Sequence, residues 1–142
     1  MTYKADDINQ LLPSFRAVVQ ELLNRMGELG FQPVLHDGLR TAAEAAANAQ
    51  TGKGIKDSMH LYGCAADIIC DLHGWDCHRH GCDFYNVLGR EAEALKLTWG
   101  RHFSRSDDCH VQAIPVKMQD KIRAARDATA RDAICKAWLG SK

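Results

Sequence analysis

Apolar residues near the start of the chain recur at three- and four-residue spacing. Ile8, Leu11, Leu12, Phe15, Val18, Val19, Leu22, Leu23 and Met26 share one face of a helix predicted over residues 6–29. Asp6 or Asp7 is placed to cap it and Gly30 to end it. Pro13 interrupts the pattern, so the helix proper is expected to begin near it, with Leu12 extended. Residues 31–36 read as a short strand, at an edge because of Pro33, and Asp37-Gly38 as a turn. Thr41 with Glu44 is a capping box for an alanine-rich helix from about Ala42 to Gln50. Cys64 to Cys70 is a compact apolar strand, with Ala65, Asp67 and Ile69 on one face and Ala66 and Ile68 on the other. A second long helix is predicted over residues 83–97, with Phe84, Val87, Leu88, Ala92 and Leu95 inward. Residues 97–103 read as an aromatic strand or turn. Cys109 to Ile114 reads as a strand with His110, Gln112 and Ile114 on one face. A C-terminal helix is predicted over residues 116–139, packing through Met118, Ile122, Ala125 and Thr129 toward Ala133.

Helices around a few short strands predict an α+β domain, a small, mainly antiparallel sheet packed against helices. The 142 residues suit a single domain with its own core. A formal net charge of zero argues against a dominant nucleic-acid footprint, which shows a basic excess. The first residues carry no apolar signal run, and no stretch approaches the ~18 apolar residues of a membrane span. The expectation is a protein made in the cytoplasm without a signal peptide, monomeric, with no nucleic-acid or membrane partner. Any substrate beyond the inner membrane would then require another agent to release it. Six cysteines in such a chain read as free thiols or metal ligands before disulfides. The loop Thr51 to Asp57 holds glycines and lysines, but lacks the spacing and the Ser or Thr of a phosphate loop, so nucleotide binding there is excluded.

Asp67 is the anomaly of the pattern. A lone carboxylate in an apolar strand is costly unless it is paired or bound to a metal. His60 lies seven residues before it, and His110 sits on the later strand. If the two strands are antiparallel neighbours, two imidazoles and one carboxylate can meet. That is the ligand set of a catalytic zinc, which has three protein ligands and one open position. Such a metal lowers the pKa of water to roughly 7, and a nearby carboxylate can carry the proton. Asp107 and Asp108 are both close enough in sequence to do so, and spacing alone does not choose between them. Arg40, before the capping box, reads on residue type alone as a solvated arginine. The loop from His73 to Cys82 is dense in cysteine and histidine. It admits three readings: a solvent loop, a Cys77–Cys82 disulfide or local metal clip, or the catalytic site, the last disfavoured.

The segment Ser58-x-His60-x-x-Gly63-x-Ala65-x-Asp67, followed by Asp107-x-x-His110-x-Gln112, resembles the zinc D-alanyl-D-alanine carboxypeptidases and the phage L-alanyl-D-glutamate endopeptidases. Both share a fold with the hedgehog signalling domain. Gly38-Leu39-Arg40-Thr41 with Gln50, the helical Phe84-Tyr85, and Leu97-Thr98-Trp99-Gly100 look like further segments of that family, so the resemblance spans residues 31–114. It departs at His102 and Phe103, where an acid and a tryptophan are common, at Cys109, where proline is common, and in the inserted loop 73–82.

The resemblance implies Zn2+ held by His60, Asp67 and His110. It implies Asp107, three residues before the last ligand, as general base, and Arg40 as the cation that contacts substrate and oxyanion. Ser58, Trp99 and Gln112 would line the site. The partner implied is the peptidoglycan stem peptide. The bond implied is L-Ala–D-Glu, in a phage or prophage lysis enzyme (an endolysin) released by a holin, with D-Ala–D-Ala the alternative. A catalytically silent zinc domain that binds wall fragments or a protein is the alternative of another class.

Overall fold

A computed structural model describes residues 3–41, 43, 44, 47 and 58–140 of the chain. Among the described residues, α-helices with defined bounds flank one sheet: α1 (Pro13–Glu28), α2 (Phe84–Ala94), α3 (Gln119–Ala124) and α4 (Ala128–Gly140). The strands are β1 (Pro33–Asp37), β2 (Ala65–Cys70), β3 (Thr98–Trp99) and β4 (His110–Gln112). Their order across the sheet is β1-β2-β4-β3, and every neighbouring pair is antiparallel. The architecture is the α+β arrangement that the sequence predicts.

Pro13 stands at the start of α1, where its missing N–H costs nothing and its fixed φ suits the first turn. The residues before it form a separate 3-10 turn, Ile8–Gln10, capped by the Asp7 carboxylate. No side chain of its own caps α1. The cap comes from Asp132 on α4, whose carboxylate accepts from the Ser14 amide (2.9 Å) and hydroxyl (2.6 Å). Phe15, Val19, Leu22 and Met26 face inward with no exposure, as the periodicity requires. Full burial of such a side chain contributes about 1.5–3 kcal/mol. This face packs on α2, α4 and β1.

Thr41 and Glu44 form the reciprocal capping box, each backbone amide donating to the other's side chain at 3.2 and 3.1 Å. Most of the alanine-rich helix predicted after them, and the loop 51–57, lie outside the described residues.

The helix predicted over 116–139 is two helices. Ala125 is extended, with φ −66° and ψ 141°, and separates α3 from α4. Asp127 starts α4, its carboxylate accepting from Ala130 N–H. The Arg131 guanidinium donates to the carbonyls of Ile122, which also accepts from Ala125 N–H, and of Ala125, at the break itself. The packing stripe changes phase across the break. Ile122 is buried as expected, but Thr129 and Ala133 are exposed, and Cys135 is the buried residue of α4.

Candidate metal centre

The register of the sheet brings the ligand candidates together. Asp67 pairs directly with His110 across β2 and β4, and with Asp37 across β2 and β1. Ala65, Ala66, Ile68 and Ile69 are all fully buried, so a one-residue slip would exchange an apolar side chain for the carboxylate. His60 comes from the 3-10 turn Met59–Tyr62 just before β2. Gly63 ends that turn at φ +71°, a left-handed conformation that glycine adopts without strain and that sends the chain back into the strand. Ser58 begins the turn, its hydroxyl oxygen accepting from the His60 amide at 3.2 Å.

The tautomers follow from the hydrogen bonds. His60 Nδ1–H donates to the Gly38 carbonyl at 2.7 Å, which leaves Nε2 as a lone pair. The Gln112 amide NH2 donates to the Ile114 carbonyl at 2.8 Å, so its oxygen faces His110 and accepts from Nε2–H at 2.8 Å. His110 therefore presents Nδ1 as a lone pair. Both lone pairs point at one atom: His60 Nε2 and His110 Nδ1 each lie 3.4 Å from Asp67 Oδ1. That oxygen is buried and has no hydrogen-bond partner.

Three acceptors around one point repel one another unless a cation sits among them. Zinc–ligand bonds of 2.0–2.2 Å in a tetrahedron place neighbouring ligand atoms about 3.3–3.6 Å apart, which matches the spacing here. The orphaned carboxylate oxygen and its two imidazole neighbours thus fit a metal. Burial opposes ionisation of Asp67, but with no ion bound the imidazoles can carry protons in place of those lone pairs, and they then outweigh burial and hold the carboxyl well below the usual carboxylate range. Burial also pulls the His110 imidazole down, yet the Asp67 carboxylate leaves it raised.

This group lies in a cleft of about 750 Å³ whose walls include Arg40, Ser58, Phe103, Arg105, Asp107 and Arg123. Asp107 is exposed on that wall, with a carboxylate oxygen within 4.8 Å of Asp67's. Asp108 points away and forms a two-pronged pair with Arg101 at 2.9 and 3.0 Å. Geometry therefore separates two acids that spacing left open. Gly100 holds the loop close: a Cβ there would come within 2.5 Å of the Asp107 carbonyl oxygen and 2.9 Å of His110 Cβ.

Arg40 is not a solvated arginine. It is 8% exposed, pairs with Asp37, and sits 3.8 Å from Asp67 Oδ2, with its Nε buried and unpartnered. Trp99 does not line the cleft, contrary to expectation. Its ring packs on Gly89, Arg101 stacks over it, and its indole N–H donates to the Asp108 carbonyl. It braces the loop behind Asp107. Gln112 borders the cleft, but both ends of its amide are engaged, so it orients His110 and does not meet a ligand. Sequence reasoning missed Gly38, whose carbonyl fixes the His60 ring. The turn signal marked the residue but not the bond.

Residues 51–113 match the family model described as D-alanyl-D-alanine carboxypeptidase, a span that includes His60, Asp67, Asp107 and His110. A comparison with curated proteins finds no match. Among solved structures, the chain is similar to the Serratia marcescens L-Ala D-Glu endopeptidase ChiX, with a TM-score of 0.58 at 18% identity, covering 81% of this chain and 86% of that one. The resemblance that the two motifs predicted is thus met by the family model over residues 51–113, and the fold is shared with that structure over most of the chain.

Proposed function

We infer that this protein is a zinc peptidase that hydrolyses an amide bond in the stem peptide of peptidoglycan. The observation that carries this reading is the orphaned Asp67 Oδ1 between two imidazole lone pairs on the floor of an open cleft. His60 Nε2, Asp67 and His110 Nδ1 would hold the ion. Zinc there would supply Lewis acidity toward water and a peptide carbonyl.

The chain's own residues do the rest. Asp107, exposed beside Asp67, is placed to take a proton from the attacking water and hand it to the leaving amine. Arg40, held by Asp37, keeps its guanidinium 3.8 Å from Asp67 Oδ2 on the cleft wall and can stabilise negative charge developing on the carbonyl oxygen. In other hydrolases such a donor is worth about 2.7–4 kcal/mol. Cys109 Sγ donates to Asp107 Oδ1 at 3.2 Å and leaves the other carboxylate oxygen to act.

The cleft wall bears three arginines, at 40, 105 and 123, against the aspartates at 67 and 107. Bound zinc adds further positive charge. Arg40 is paired with Asp37 and Arg123 with Asp120, so a bound ion would supply the cleft's main positive charge toward the carboxylates of a stem peptide. The preferred bond is L-Ala–D-Glu, the specificity named for the structural neighbour. D-Ala–D-Ala is the second reading, supported by the description of the matching family. A lysis enzyme that reaches the wall with the help of a holin is the biological setting proposed.

Digestion of purified cell walls by the zinc-loaded protein, followed by identification of new termini, tests the reading. New L-Ala carboxyl and D-Glu amino ends support the endopeptidase. Released D-alanine supports the second reading. No new ends of either kind overturns both and favours a silent zinc-binding domain.

A further inference from the structure

Three of the six cysteines converge on a point that the peptidase chemistry does not use. The Sγ atoms of Cys70, Cys77 and Cys82 all lie within 4.8 Å of one another. Cys70 ends β2, Cys77 opens the 3-10 turn Cys77–His80, and Cys82 follows that turn. The backbone builds the cluster without help from the sulfurs. Gly74 N–H donates to the Cys70 carbonyl at 2.7 Å, folding the loop back beneath the strand. The Tyr85 hydroxyl, on α2, donates to the Gly74 carbonyl at 2.6 Å and accepts from Cys70 N–H at 3.4 Å. Cys82 N–H donates to the Cys77 carbonyl at 2.9 Å, across Gly81 at φ +66°. These bonds bring together side chains seven and five positions apart along the loop.

We propose that Cys70, Cys77 and Cys82 form a second, structural site for a soft divalent cation, zinc above all, separate from the His60–Asp67–His110 centre. Zinc–sulfur bonds of about 2.3 Å in a tetrahedron need sulfurs roughly 3.8 Å apart, within the separation seen. A disulfide uses two sulfurs and would leave the third stranded against it. Three sulfurs at mutual contact are what a thiolate metal site requires. Beside the cluster, Cys77 and Cys82 line a small cavity of about 90 Å³. A water from that cavity can take the fourth position. The ion would staple the loop 71–82 to the end of β2. Its ligands include Cys70, which the sequence pattern assigns only to the apolar run of the strand.

The test uses the full chain, purified under reducing conditions and loaded with zinc or with cobalt(II). Two metal ions per chain are expected, and the cobalt form should show the thiolate-to-cobalt charge-transfer band in the near ultraviolet. Cys77→Ser and Cys82→Ser should each leave one metal and remove the band. His60→Ala should also leave one metal, but keep the band, so loss of the first site and loss of the second are read apart. Cys82→His, which keeps a ligand, should retain two metals and a weakened band, and it decides the matter if the serine variants do not fold. The proposal is overturned if the wild-type chain shows no thiolate band, if the band survives Cys77→Ser, or if peptide mapping of the freshly purified protein finds a Cys77–Cys82 disulfide.

Discussion

Replacing Gln112 by leucine should weaken metal binding although Gln112 is not placed to touch the metal. The side chain is 1% exposed, and its amide spans two partners, accepting from His110 Nε2–H and donating to the Ile114 carbonyl, both at 2.8 Å. Leucine keeps the approximate volume and removes both bonds. Each buried group left unpaired costs about 1–3 kcal/mol, a large share of a domain stability of about 5–15 kcal/mol. The imidazole also loses the contact that fixes its tautomer and ring plane. Removing such an outer partner typically lowers metal affinity 10–100-fold, equivalent to about 1.4–2.7 kcal/mol. Gln112→Glu separates the two effects. Its carboxylate still accepts from His110, so affinity should largely return, but it has no N–H for Ile114, so stability should not. Zinc affinity is read by competition with a chromophoric chelator in a Cys77→Ser background, so that one site reports, and stability by denaturant unfolding. Wild-type zinc affinity in Gln112→Leu would refute the orienting role.

Asp107→Asn should keep zinc and lower wall hydrolysis about 10²–10⁴-fold, the usual contribution of general acid–base catalysis, and undiminished turnover with full metal content would reject Asp107 as the base. Gly100→Ala forces a Cβ to within 2.5 Å of the Asp107 carbonyl oxygen, and should cost about 1–3 kcal/mol by overpacking, with hydrolysis falling further than stability as the Asp107 loop shifts. Unfolding curves and wall-digestion rates on the same sample check this. Asp132→Ala removes the only side-chain cap seen at the start of α1 among the described residues. It should cost about 0.5–2 kcal/mol with zinc affinity unchanged. A denaturation midpoint equal to wild type would show that the α4-to-α1 bond carries no stability.

The parts legible in the sequence are those where a local rule and the tertiary structure agree. Pro13 sets the start of α1 because no later position in the helix would tolerate it. The Thr41–Glu44 box is self-contained and forms as written. Asp67 stood out because its burial has no apolar explanation, and its pairing with His110 follows once the strands are neighbours. The failures share a cause, which is a partner distant in space. The residues around Ala125 contain no glycine or proline. The break there is stabilised by Arg131, which reaches back to the carbonyls of Ile122 and Ala125, and no propensity scale includes that reach. Trp99 carries the family's signature and was expected at the site, but Gly89, on another element, leaves a slot that its ring fills from the core side. Arg40 reads as surface until Asp37, opposite Asp67 across the sheet, is seen to hold it.

The placement of the candidate residues separates metal binding from turnover. His110 and Asp67 are register partners inside the sheet, and His60 is tied to Gly38 at the end of β1. Their relative positions are fixed by the packing of Ala65, Ala66, Ile68 and Ile69, none of which has any exposure. Moving a ligand means opening the core. Asp107 and the residues from Phe103 to Ser106 sit instead on the cleft wall, where exposure is high. They are held by Gly100's close approach and by the Arg101–Asp108 pair. A rigid centre beside a loop secured by a few contacts is the arrangement expected when one part must hold an ion tightly and the other must adapt to a peptide. Core substitutions in β2 should therefore act on metal affinity and stability together. Substitutions in the 103–107 loop should act on turnover and on the choice of bond, with the metal still bound.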